Sequence, residues 1–178
     1  CVGCHACSKN CAHGAISFPG KKAVIDHNKC VGCGRCLGAC NFDAIYNENS
    51  SAVKEMNIKM AEYTKAVVEG RPAFHINLVI DVSPYCDCHA ENDAPILPDV
   101  GMFASFDPVA LDQACADACN VQEPMPGRLL HDHMHENGFC DHHDHFVNTT
   151  PESEWETCLA HAEKIGLGSR EYELVKVK

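Results

Sequence analysis

No apolar run in the 178 residues approaches the roughly 20 that a membrane-spanning helix requires. Basic residues are scarce, with 14 Lys and Arg against 25 Asp and Glu and a net charge of −11. That deficit argues against nucleic acid as a partner, because phosphates select basic surfaces. No Gly-rich nucleotide fingerprint, P-loop or Ser/His/Asp arrangement stands out. An initiating Met is also missing, and Cys1 opens the chain. We therefore expect upstream polypeptide, and no targeting signal is readable here. What the chain has in abundance is cysteine, 14 in all.

Eight of these cysteines fall into two runs of one spacing. The first is Cys1-x2-Cys4-x2-Cys7-x3-Cys11, and the second is Cys30-x2-Cys33-x2-Cys36-x3-Cys40. This is the bacterial ferredoxin pattern for a [4Fe–4S] cluster, present twice. Thiols at i, i+3 and i+6 let one tight loop wrap three corners of a cube. The fourth cysteine begins the next element and, in two-cluster proteins, ligates the other cube. The spacing thus predicts one cluster on Cys1, Cys4, Cys7 and Cys40, and another on Cys30, Cys33, Cys36 and Cys11. Zinc needs only half as many ligands, and a disulfide framework gives no reason for two identical frames. A reducing, cytoplasmic setting, and an anaerobe, are the expectation that follows. An acidic surface further predicts steering toward a redox partner with a basic face.

The runs belong to an internal repeat. Cys1-Val2-Gly3-Cys4 matches Cys30-Val31-Gly32-Cys33, and Ala15-Ile16 matches Ala44-Ile45 without a gap. Gly3 and Gly32 suit places where backbone crowds sulfur and a side chain would interfere. Between the runs, Ala15 to Phe18 and Ala23 to Asp26 read as two short strands around a Pro19-Gly20 turn. Ferredoxins usually place Pro after the fourth cysteine, and here Ala12 and Asn41 stand instead. Proline shapes that loop but supplies no ligand.

Beyond residue 50 the pattern changes. Val53, Met56, Met60, Tyr63 and Val67 recur at helical spacing and predict a helix over 51–69, its methionines packed in a core. Phe74 to Asp81 alternates as a strand, and a second strand is expected around Val100 to Phe103. Asp107 reads as an N-cap with Pro108 at the first helical position. That helix should reach about Asn120 and bury Val109, Ala110, Ala114 and Ala118. A further helix over 152–165 should turn Trp155, Leu159 and Ala162 inward, and Tyr172 to Val177 reads as a last strand. The fold class is α+β: a dicluster ferredoxin-like module over 1–50, joined to the C-terminal part of a layered α/β domain over 51–178. That second part is expected to leave an apolar face for upstream polypeptide or another chain.

A second candidate site follows the strand. Asp81, Cys86, Cys88 and His89 lie in an irregular loop at a strand's carboxyl end, where α/β sheets place ligands. They are candidates for an additional metal ion or a substrate. Two small apolar side chains among turn-forming aspartates is the competing reading. Cys115 and Cys119, one helical turn apart, read as alanine-like packing. His131, His133, His135, His142, His143 and His145 cluster with Cys140 in what reads as a solvated polar loop that collects metal adventitiously.

The stretch Asp81-Val-Ser-Pro-Tyr-Cys-Asp-Cys-His resembles one family, as do Pro98-Asp99-Val100-Gly101 and Ser105-Phe-Asp107-Pro-Val-Ala-Leu-Asp112. The ending Ala162-Glu-Lys-Ile-Gly-Leu-Gly-Ser-Arg-Glu-Tyr172 does the same. It is similar to the iron–sulfur proteins grouped as domain of unknown function 362, fused to a dicluster ferredoxin. The resemblance implies a ferredoxin inserted within a larger α/β domain, with a long segment before it that this chain lacks. It supplies no reaction. The two functions in competition are therefore single-electron transfer through two clusters, and a redox enzyme or metallocofactor maturation factor acting near Cys86, Cys88 and His89.

Overall fold

The computed structural model describes residues 1–46, 51–85, 94–136 and 143–177. It divides into two units, Cys1–Ser50 and Ser51–Lys178.

In the first unit, β-branched Ile16 and Val24 flank the Pro19-Gly20 turn. The chain folds back there as a hairpin of β1 (Ile16–Ser17) and β2 (Val24–Ile25), antiparallel with Ile16 opposite Ile25. Each cysteine run carries one helical turn or little more, α1 (Ala6–Asn10) and α2 (Arg35–Gly38). The duplication seen in sequence is repeated in the backbone. Gly3 and Gly32 both take left-handed φ, at 74° and 72°, and so do His5 and Gly34, at 64° and 73°. Each pair is one repeat apart. The interior is slight: of the described residues here, Cys7 and Ala15 are buried.

The second unit begins with α3 (Ala52–Val68), entered from Ser51 and ended before Gly70, whose φ is 71°. Next come β3 (His75–Val79) and β4 (Gly101–Ser105), antiparallel with Asn77 opposite Phe103. Then follow α4 (Pro108–Asn120), α5 (Leu129–Glu136), α6 (His145–Thr149) and α7 (Trp155–Lys164). Asp107 caps α4 by accepting from the N–H groups of Val109 and Ala110 at 2.8 and 3.1 Å. Its other oxygen accepts from the N–H of Ser169 at 2.9 Å.

Two small cores form on opposite sides of α4. Leu111, Cys115 and Cys119 pack with Val79, Ile96, Leu97 and Leu130. Val109 packs with Ala61, Leu159 and Ala162. The architecture is mixed helix and small sheet, as an α+β reading requires.

Two expectations are corrected. Met56, Met60, Tyr63 and Val67 are exposed, and α3 instead buries Asn57 and Ala61. Small Ala61 permits the close approach of α7, so the bulky stripe turns outward. The methionines are therefore not core in this chain. Tyr172 to Val177 pairs with no strand among the described residues. The Tyr172 hydroxyl donates to Asp117 at 2.8 Å instead. Alternation alone makes no strand where no neighbour offers an edge. The sheet is also bare on one side. Ile76, Leu78 and Met102 are exposed, while Asn77 on the opposite face donates to Asp112 of α4 at 2.8 Å.

Candidate metal centre

The eight cysteines of the two runs line two cavities in the first unit. Cys1, Cys4, Cys7 and Cys40 line the first, with Phe18, Phe42 and Ile45 among the other walls. Cys11, Cys30, Cys33 and Cys36 line the second, with Ile16, Ile25 and Val31. Each cavity therefore takes three thiols from one run and the last thiol of the other. Both the loop and the crossing arise locally. Left-handed residues at 3 and 5, and again at 32 and 34, curl the loops. The short helices α1 and α2 then carry Cys11 and Cys40 away from their own loops.

Backbone N–H groups point at these sulfurs. Ala15 donates to Cys11 Sγ and Ala44 to Cys40 Sγ, each at 3.4 Å and again one repeat apart. Hydrogen bonds to the charged form favour the thiolate. The Cys11 thiol is accordingly held below its ordinary pKa, chiefly by the Ala15 N–H. Cys40 is lowered by the N–H groups of Phe42 and Ala44. Cys36 moves the other way, because burial disfavours its charge and Cys30 and Cys33 add like charge.

A third such bond escaped the sequence reading. Ala23 donates to Cys1 Sγ at 3.4 Å across 22 residues. It depends on Gly3, because a Cβ there would lie 2.5 Å from the Lys21 carbonyl oxygen. The turn can thus fold down on the first loop only over a glycine. The signal was present in Gly3 and the Pro19–Lys22 turn, but nothing in sequence spacing joined them. His5 was also missed. It stacks on Phe18 with ring centroids 3.8 Å apart and lines the first cavity.

Of the second candidate site, Asp81 is exposed just past β3, with φ of 49°, and its N–H donates to Asp99 at 3.0 Å. Cys86, Cys88 and His89 lie outside the described residues, as do Cys140 and His142. Cys115 and Cys119 are buried, and burial is the main cause pushing both thiols up. They are core side chains, as read from the sequence. Of the histidines in the tract that are described, His131, His133 and His135 stand on the helix α5 and His145 begins α6, rather than lying in a loop, while His143 lies in a turn.

No helix among the described residues is long and apolar enough to cross a membrane. No solved structure matches the chain. In Methanosarcina acetivorans, the B component of an ion-translocating oxidoreductase complex is 44% identical over 45 residues, which is 25% of this chain and 17% of that protein. The chain therefore spans a small part of that relative's length. A family profile described as Domain of unknown function (DUF362) matches residues 2–117, running through both units. With most of its length matched, and with the strand, N-cap and helix of 75–117 in place, the chain belongs to that family.

Proposed function

We propose that this is an iron–sulfur protein that moves single electrons through two [4Fe–4S] clusters. Cys1, Cys4, Cys7 and Cys40 would hold one cluster, and Cys11, Cys30, Cys33 and Cys36 the other. The observation that carries this reading is the division of eight thiols into two cavities of four, each drawing on both runs. The residues fit the group. Among the described residues, no three His, Cys, Asp or Glu side chains converge as they would around a single ion. Thiols spread around a cavity suit the corners of a cube, whereas zinc draws four ligands to one point. When bound, such a cube supplies a one-electron couple. The chain's own part is to exclude water with Phe18, Phe42, Ile45, Ile16 and Ile25, and to donate N–H groups to sulfur. The name of the Methanosarcina relative, part of an oxidoreductase complex, agrees with an electron-carrying role.

The partner in this reading is a redox protein with a basic surface, met in the cytoplasm. The net charge of −11 supports it. Association should weaken as salt rises, since screening reaches about 10 Å at 0.1 M. The exposed apolar side of the β3–β4 sheet supports a further part of the proposal, that polypeptide beyond the described residues covers it.

Anaerobic purification followed by iron and sulfide assay is the direct test. Two four-iron cubes predict about eight of each, and four or fewer in fully loaded protein would overturn the reading. Cys40→Ala should damage the cluster of the first cavity while leaving the second. The catalytic alternative rests on Cys86, Cys88 and His89, which lie outside the described residues. Changing Cys86 and Cys88 to Ser separates the two: a carrier keeps its electron-transfer rate in stopped flow, and an enzyme loses turnover with both clusters still reducible.

A further inference from the structure

We propose that His131 and His135 form a specific site for a divalent transition ion of the zinc class, completed by Glu123. The two histidines stand four apart on α5 and so share one face of the helix. Their ring centroids are 4.4 Å apart. The helix cannot rotate freely, because Leu130 is fully buried and Leu129 and Met134 pack against the same core. His133 serves another purpose, its Nδ1 donating to the Asn148 carbonyl at 2.9 Å and fixing α5 to α6. That bond leaves His131 and His135 as the imidazole pair of this helix open to a ligand. Two histidines at this spacing on one helical face are the recurrent zinc-binding geometry of helices.

The surroundings of His131 match those of a ligand. Its Nδ1 lies 3.2 Å from the Asp132 carboxylate. A carboxylate there keeps the proton on Nδ1 and leaves the Nε2 lone pair for a metal, the usual support for a ligating histidine. Both rings line a cleft with Glu123, Met125 and Met134. Imidazole nitrogen with carboxylate oxygen suits zinc-class ions, and the thioethers are weaker donors to such ions. Among the described residues no three such groups already converge. Two ligands are therefore set by the helix, and the ion draws in Glu123 from the connection after α4. Binding would tie that connection to α5.

The test is a zinc titration of the full-length, cluster-loaded protein under anaerobic conditions, in competition with a chromophoric chelator. The parent should bind one more equivalent than His131→Ala/His135→Ala. His135→Ala alone should weaken that equivalent at least tenfold, and Glu123→Gln should weaken it by a similar factor. His133→Ala should retain it. Circular dichroism checks that each variant keeps its helix content. Equal stoichiometry and affinity in parent and double variant would overturn the site. So would equal losses in His133→Ala and His135→Ala, which would show a diffuse histidine tract. Unchanged affinity in Glu123→Gln would overturn the three-ligand form.

Discussion

The two units solve the problem of staying folded in opposite ways. In residues 1–46 the described interior comes down to Cys7 and Ala15, and the strands are two residues long. In the second unit two apolar clusters flank α4, and Leu130, Val109, Leu111 and Leu97 are almost wholly buried. A chain segment near 50 residues rarely supplies enough buried apolar surface to fold alone, and small domains turn to metal or disulfide staples. The first unit lines its two cavities with cysteines. The second has a core but leaves apolar surface uncovered on one face of its sheet. On the proposed reading, clusters would supply the interior of the first unit, and further polypeptide would cover the bare sheet face of the second.

The largest expected effect comes from removing the proposed clusters. Chelation or mild acid should abolish amide protection across β1 and β2 while α4 stays protected in hydrogen exchange. Protection that persisted in both units would break the comparison. Next is Leu130→Ala, which should destabilise the second unit by about 2–5 kcal/mol in denaturant unfolding and leave iron content unchanged. Gly3→Ala comes third. It combines a left-handed φ with the Lys21 carbonyl, whereas Gly32→Ala meets φ strain in open space. The first should lower iron loading more than the second, and equal losses would count against the Ala23–Cys1 contact. Asp107→Ala should cost roughly 1–2 kcal/mol through the lost cap, read as a shift in denaturant midpoint. The smallest effect is expected at Ile76→Thr on the bare sheet face. Stability of the chain alone should change by under about 0.5 kcal/mol in denaturant unfolding.

Much of this was legible from spacing. The cysteine runs, the Pro19-Gly20 turn and the Asp107-Pro108 helix start are local signals, each readable within a few residues. The failures share another origin. The stripe of Met56, Met60 and Tyr63 marks an apolar face correctly, but periodicity does not say what that face meets. Here Ala61 decided the matter, because a small residue lets α7 approach. Tyr172 to Val177 fails for the same reason, since a strand is defined by its neighbour. The bond from Ala23 to Cys1 spans 22 residues and needed the fold to reveal it.

The exchange of fourth cysteines between the two loops also sets an order of events during synthesis. The second cavity has all its thiols once the ribosome has passed Cys36, and the first gains its last thiol four residues later, at Cys40. Although the first loop emerges far earlier, it stays one wall short throughout that interval. A nascent chain truncated between Cys11 and Cys30 holds four thiols, but only three of those that line the first cavity and one of those that line the second. Both cavities gain their full set of thiols almost together, within four residues of chain.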